Sequence, residues 1–433
     1  MNVNPAITAG ISPRLRRFLA SQKVNLHNLS ALIVFNFLAA GLFFVTQVRI
    51  ANVIGKEQFG LLAYGIALGM YGQTIVRYGM DRTLVRDLMH YPERFSELVM
   101  ASLLLRGVLL GLVVGALVAW KLVWRPMDMT WPVIVIVLAY SLKSLDLQPV
   151  YDAWHRMARH AAYNMVQRGL YFALIWILVF WAPSYLTLSW ISIALLTTEV
   201  FYLLLQQRWA FQRIDLRETR IQLGDVILEL SRGNCLIWLA AMGALSFGAL
   251  NQIMLKHYCG AAQLGGYAAG WQIASVATLL LHQVGRIGNP ATACSTRTEM
   301  NRRSRIRFLL RYAGVMLLTA APICIPLLFV PELVVETVFS PEYASSAGTL
   351  RVFSAYVLIL SLGIVASQYV ISARMERNYF ASVVVGGLVS LMLCVTLIPR
   401  LGGLGAALAL LMSHGTSMTL YSVAMIQHLR KQR

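Results

Sequence analysis

Apolar runs of about twenty residues recur along the whole chain, separated by short polar breaks. A run of that length is enough to carry a helix across the hydrocarbon core of a bilayer. The first half contains six, over residues 29–48, 61–80, 98–120, 131–150, 161–181 and 188–206. The second half contains six more, over 235–255, 266–284, 312–330, 348–372, 380–398 and 405–426. The pattern predicts an all-α polytopic membrane protein with about 12 transmembrane helices. A polar, charge-mixed stretch divides the two sets. The expected organisation is an N-terminal six-helix bundle over residues 1–207, a cytoplasmic connector over 208–232 and a C-terminal six-helix bundle over 233–433.

The two sets follow one plan. Residues 54–65 read IGKEQFGLLAYG, and residues 259–270 read CGAAQLGGYAAG. At the 205-position offset that relates Gly55 to Gly260, Gln58 matches Gln263 and Gly60 matches Gly265. Ala63 and Gly65 match Ala268 and Gly270, and Gln47 and Gln252 fall on the same offset just upstream. Self-similarity at a fixed offset is the signature of a duplicated architecture. Six spans separate the copies, so both face the same way. The duplication is then a parallel repeat about an axis along the membrane normal.

Composition supports the membrane class. The chain of 433 residues is 58% hydrophobic and 13% charged, against about 25% charged in soluble domains. The net charge of +19 would suggest nucleic acid in a soluble protein. Here the basic residues fall mostly between apolar runs, and no nucleic-acid partner is expected. The connections after odd-numbered spans are short and nearly free of Lys and Arg, holding Lys56, Lys121, Arg125, Lys256 and Arg400. The other connections and both ends hold the large majority, with Arg297, Arg302, Arg303, Arg305 and Arg307 clustered in one. The positive-inside rule puts both termini in the cytoplasm. Arg14, Arg16, Arg17 and Lys23 precede a run too long for a signal peptide, so the first span reads as a retained anchor.

Several chemistries are excluded. Cys235, Cys259, Cys294, Cys324 and Cys394 show no CxxC or His-paired spacing, so neither a disulfide framework nor a metal site is expected, and no cofactor is implied. No P-loop is present, so the chain carries no ATPase of its own. No outer connection is long enough for a folded catalytic module. With no soluble catalytic module, an enzyme is not the expectation.

The informative residues are charges away from the membrane surface. They are Arg49, Arg77, Arg106, Lys143, Asp146, Glu199 and Lys256. A charge at mid-helix costs about 2.5–3.5 kcal/mol on insertion scales, so these groups face a hydrated cavity, pair with one another or lie near an interface. Arg49 and Lys256 end their spans, where snorkelling to the outer surface competes with a binding role. Arg77 is near a cytoplasmic end. Lys143 and Asp146, three apart, share a helix face and could neutralise each other. Arg106 lies several residues inside its span with no nearby acid in sequence. Asp146 and Glu199 are read either as charge partners or as proton- or ion-coupling groups. If all seven share one cavity, five basic groups face two acidic ones. That suits an anionic ligand, and Arg49, Arg77, Arg106, Lys143 and Lys256 become the candidate substrate-binding set, since guanidinium forks fit phosphate oxygens. Asn36, Gln47, Gln73, Asn164, Asn251, Gln252, Gln272 and Gln368 would add hydrogen bonds to a ligand or between helices.

Four segments carry a family resemblance. IGKEQFGLLAYGIAL, from Ile54, resembles the segment after the first span of polysaccharide flippases. TVFSPEYASSAGTLRVF, from Thr337, resembles the stretch before their tenth span. LGGLGAALALLMS, from Leu401, is similar to the GxxGAAxA lead-in to their last span, and LQPVYDAWHRMARHAAYNM, from Leu147, to their connector between spans 4 and 5. Ser340 stands where a Gly is common and Asn52 where an Arg is frequent. The chain resembles the polysaccharide transporters of the multidrug/oligosaccharidyl-lipid/polysaccharide (MOP) exporter superfamily, whose best-known members are O-antigen flippases. The resemblance implies two six-helix bundles around a central cavity, alternating access, and a polyprenyl-diphosphate-linked oligosaccharide moved from the cytoplasmic to the outer leaflet of the bacterial inner membrane. It implies partners in lipopolysaccharide-type assembly, namely the lipid-linked substrate, the lipid bilayer, and a glycan polymerase and glycosyltransferases. Arg49 occupies a position where basic residues recur in that family. A cation-coupled multidrug exporter on the same fold is the alternative, though it would favour acidic cavity groups. A membrane glycan polymerase or ligase is a weaker one, because the longest outer connection, 332–347, is short. A scaffold for a glycan-assembly complex is a further possibility.

Overall fold

The computed structural model describes residues 13–124, 130–182, 186–212, 223–297 and 302–431. The described residues contain helices and no strand. Within a bilayer this follows from hydrogen bonding, because a helix satisfies its backbone groups internally. The helices are α1 (Pro13–Arg77), α2 (Met80–His90), α3 (Phe95–Trp124), α4 (Trp131–Leu142), α5 (Gln148–Ala153), α6 (Met157–Trp181) and α7 (Leu188–Phe211). The second half contributes α8 (Leu223–Ala244), α9 (Ala249–Arg297), α10 (Arg302–Phe329), α11 (Pro331–Val338), α12 (Ala347–Ser372) and α13 (Glu376–Lys431).

Nine segments of the described residues are long and apolar enough to cross a membrane. Three of them, in α1, α9 and α13, are interrupted by a glycine with non-helical backbone. Gly55 and its repeat mate Gly260 adopt nearly the same conformation, φ 78°, ψ 169° and φ 85°, ψ 173°. Only glycine reaches that region without strain. Gly402 breaks α13 in the same role, and the chain there folds back so far that Gly405 packs on the carbonyl of Leu397. Dividing three of nine segments gives the twelve spans. The seventh is itself bent: α8 joins the first part of α9 through a short 3-10 turn, Leu245–Phe247.

The connections differ from the sequence expectation. The stretch expected as a connector over 208–232 is helical at both ends, since α7 runs to Phe211 and α8 starts at Leu223; residues 213–222 lie outside the described residues. The Arg-rich stretch 286–311 is likewise helical on both sides, in α9 and α10. Charged residues extend these helices past the apolar length, because helix formation does not stop where hydropathy does. The 332–347 connection is folded into α11 and a 3-10 turn, Pro341–Ser346.

The end of the molecule that carries Gly55 and Gly260 is the corner face, and the end where α13 finishes is the terminal face. At the corner face the two copies of the repeat pack on each other reciprocally. A methyl group on Gly60 would collide with the carbonyl of Ala261, and one on Gly265 would collide with the carbonyl of Lys56. Residues 60 and 265 are repeat mates, and so are 56 and 261. The contact is therefore isologous about a pseudo-two-fold axis. The corner is tied further by the connection between α10 and α12. The Asn52 amide donates to the Val338 carbonyl (3.2 Å) and accepts from the Ser340 amide N–H (2.8 Å). Tyr343 donates to the Ala51 carbonyl (3.0 Å), and Lys56 donates to the Ser345 hydroxyl (2.7 Å). Partial burial there lowers the Lys56 ammonium pKa, and Glu342 partly offsets it. At the terminal face one flank is closed where Gly79 packs close to the backbone of Asn234 and Trp238, Tyr78 stacks on Trp238 and Thr83 bonds Asn234 (2.6 Å).

A neutral chamber and a charged pocket

Below the sealed corner, between α1 and α9, lies a chamber of about 820 Å³. Both halves line it. Phe37, Phe43, Phe44 and Gln47 come from α1 before Gly55, and Phe59 and Met70 from after it. Gln252, Trp271, Gln272 and His282 come from α9, with Tyr140 from α4. Among the described residues, no Asp, Glu, Lys or Arg lines it. The repeat mates Gln47 and Gln252 bring one amide from each half. Gln47 is 2% exposed, and its Nε2 has no hydrogen-bond partner among the described residues.

A second pocket, of about 290 Å³, continues towards the terminal face. It holds Asn36 beside Phe37, Lys143 one turn beyond Tyr140, and Arg286 one turn beyond His282. Arg77, Asp146, Asp152, His160, Asn164 and Tyr202 complete its polar lining. Arg77 and Lys143 come from the first half and Arg286 from the second. Gln148, Met157 and Arg286 are exposed, so the pocket opens at the terminal face.

The wall of this pocket is built around a broken helix. α4 ends at Leu142, residues 143–145 form one 3-10 turn, and Asp146 is extended (φ −57°, ψ 134°) before Pro149 opens α5. The break frees backbone carbonyls inside the membrane, where each needs a donor. Arg106 supplies them. It is 1% exposed, and its Nη1 donates to the carbonyls of Ser144 (2.9 Å) and Asp146 (3.1 Å). Its Nη2 donates to Asp81 (3.0 Å), which also binds Arg77 (3.1 Å). The break turns Asp146 onto a hydrogen-bonded triangle. His160 Nε2 lies 2.9 and 3.1 Å from its two oxygens, and the Tyr202 hydroxyl lies 2.8 Å from both Asp146 and His160. Lys143 has no acceptor within hydrogen-bond distance among the described residues, and it faces the pocket.

These positions divide the sequence candidates. Arg77, Lys143 and Asp146 share the pocket. Arg106 lies behind its wall as a backbone cap and does not line it, and its acid, Asp81, is 25 residues away in sequence. Lys143 and Asp146 do not pair, because the helix ends between them and Asp146 takes His160. Glu199 bonds Gln167 (3.1 Å) and lines neither cavity. Arg49 lies over the Trp176 ring at 5.9 Å and Lys256 over Tyr64 at 5.0 Å, both outside the two cavities. Tyrosine and tryptophan faces hold such cations within membrane walls. Sequence reasoning missed Arg286, His160 and Trp271. For Arg286 and Trp271 a signal was present: Trp271, Ser275, Thr278, His282 and Arg286 recur at helical spacing along one face of α9.

The profile of the family described as polysaccharide biosynthesis protein matches residues 26–286 of this chain. Comparison with curated protein sequences gives no match. Among solved structures, the chain is similar to the lipid II flippase MurJ in an inward closed conformation. The identity is 11% and the TM-score 0.71, covering 92% of this chain and 89% of that one. It is also similar to an inward-facing multidrug resistance MATE family transporter of the MOP superfamily, at 14% identity and TM-score 0.61 over 94% and 99% of the two chains. A MOP superfamily transporter from Pyrococcus furiosus Vc1 matches at 14% identity and TM-score 0.56, over 93% and 95%. At these identities the likeness establishes a common fold.

Proposed function

The chain belongs to the polysaccharide biosynthesis protein family, and from that premise we propose that it flips a polyprenyl-diphosphate-linked oligosaccharide across the bacterial inner membrane by alternating access, for surface polysaccharide assembly of the O-antigen type. One observation carries the reading. Arg77 and Lys143 from one half and Arg286 from the other converge on a pocket directly below a neutral chamber. A diphosphate suits these three cations, which outnumber the pocket's two acids, Asp146 and Asp152, and Lys143 has no acceptor within hydrogen-bond distance among the described residues. The sugars occupy the chamber, while the polyprenyl chain stays in lipid. With the terminal face in the cytoplasm, the orientation that the distribution of Lys and Arg supports, the sealed corner faces outward. The state described then receives substrate from inside. Parting of the reciprocal corner contact, with closure of the terminal side, would deliver it outward. MurJ, of the same fold, is by its name a lipid II flippase, which supports a lipid-linked saccharide as cargo.

A second reading is favoured by one feature. The chamber is aromatic, and the similar MATE protein is a multidrug resistance transporter. An exporter of lipophilic cations, however, needs an acid facing its cargo, and the chamber has none. The reading as a transporter and not an enzyme rests on the fold. Pathway partners, a glycan polymerase and glycosyltransferases, belong to the same proposal. The test is Lys143→Ala and Arg286→Ala in cells. The expected outcome is loss of surface glycan at normal protein level with unchanged drug accumulation. Full glycan export by both variants would overturn it.

A further inference from the structure

We infer that the glycan this protein carries is short and uncharged, and that Trp271, Gln47 and Gln252 hold it. The inference rests on the lipid-linked saccharide reading and names the class of sugar. The chamber's volume of about 820 Å³ is near the upper end of small-molecule pockets, about 300–1,000 Å³, which admits a short oligosaccharide and not a polymer. Its wall offers what neutral sugars use. Trp271 is half-buried, held against Phe353 and Tyr356 at ring-centroid distances of 5.5 and 5.8 Å. A ring so anchored presents a fixed apolar surface for the C–H face of a pyranose. The two repeat-mate amides bring donors and acceptors for hydroxyls from opposite sides. The Gln47 Nε2 adds to this. It is a buried donor on the chamber wall with no partner among the described residues. Such a donor is completed by water or by a ligand, and a sugar hydroxyl in the chamber supplies that partner.

The same wall rejects acidic sugars. A uronate or similar carboxylate would enter a space with no Lys or Arg on its surface among the described residues. Behind the wall, Arg168 is stacked on Phe43 at 4.1 Å and does not line the chamber. An anion there would be desolvated without a counter-charge, which proteins avoid. The cations of the lower pocket are needed by the diphosphate.

The experiment compares three ligands on purified protein in nanodiscs by native mass spectrometry. These are bare polyprenyl diphosphate, the same lipid bearing a short neutral oligosaccharide, and an identical lipid with one hexose replaced by its uronic acid. The neutral conjugate is expected to bind best, with the uronate form weaker by roughly tenfold or more. Gln47→Leu and Trp271→Ala should each lower the neutral conjugate to the level of the bare lipid, and Trp271→Phe should recover most of the difference. Equal or tighter binding of the uronate form would overturn the inference, as would unchanged binding by both Gln47→Leu and Trp271→Ala. Binding of the bare lipid without any gain from sugars would refute the chamber assignment while leaving the diphosphate pocket standing. Failure to bind any of the three would refute the flippase reading itself.

Discussion

Arg106 shows what a buried charge is for in this molecule. A guanidinium at 1% exposure would be costly as a free cation, yet its donors are directed at two carbonyls freed by the break after α4 and at Asp81. Removing it leaves those carbonyls unpaired in an apolar wall, at a cost on the order of 2–5 kcal/mol. Arg106→Leu is expected to reduce the amount of folded protein in the membrane, measured by detergent-solubilised size-exclusion yield. Arg106→Lys should rescue little, because one ammonium lacks the fork that spans three acceptors. Lys143→Ala should leave the folded yield unchanged, since Lys143 holds nothing in place. Gln47→Leu gives the opposite split to Arg106→Leu. It removes an orphan donor whose burial costs about 1–3 kcal/mol, so thermal stability should rise while transport falls. A fall in both would make Gln47 a structural residue. The sequence made Arg106 conspicuous but left its role open, because the role depends on where α4 stops. Nothing in the 14-residue separation of Asp146 and His160 announces their contact. It exists only because the same break turns the chain.

At the scale of elements, the glycine corners decide what can move. Two helices bring backbone against backbone at Gly60 and Ala261, and again at Gly265 and Lys56. Such an approach leaves no room for a side chain, and backbone does not yield as a flexible side chain does. Gly60→Ala is therefore expected to keep the corner apart. The folded yield should stay near normal, transport should fall steeply, and a thiol placed by Asn52→Cys in a cysteine-free background should react faster with an impermeant reagent from outside. Unchanged labelling with unchanged transport would contradict the gate. Much of this was legible beforehand: the repeat, its offset, and the matching of Gly60 with Gly265 all come from the letters of the chain. That the two copies touch each other was not. It is a contact between residues 201 positions apart. Nor was it legible that Asn52 and Ser340, the two departures from the family pattern, would be joined by a hydrogen bond.

For the whole molecule, twelve spans and the charge distribution were readable because hydropathy and the positive-inside rule act locally along the chain. The cavities were not, because they depend on which helix faces meet. A single cationic cavity was the expectation from five basic groups. The fold instead separates a neutral chamber from a small charged pocket, and puts Arg49, Arg106 and Lys256 elsewhere. This division matches an amphiphile with a neutral glycan and an anionic linkage. The polarity of the proposed transport cycle comes instead from the distribution of Lys and Arg. Reporter fusions at both ends of the chain are expected to read cytoplasmic, and an external signal from either would reverse the assignment of the sealed corner as the outward gate.

The central claim is tested most directly in vesicles reconstituted with the purified protein and a polyprenyl-diphosphate-linked oligosaccharide whose sugars are detected only on the outer leaflet. The account predicts that substrate loaded on one leaflet redistributes to the other with the wild-type protein. Lys143→Ala and Arg286→Ala should abolish that movement at equal reconstitution. Redistribution no faster than in protein-free vesicles, or undiminished in both variants, would contradict it.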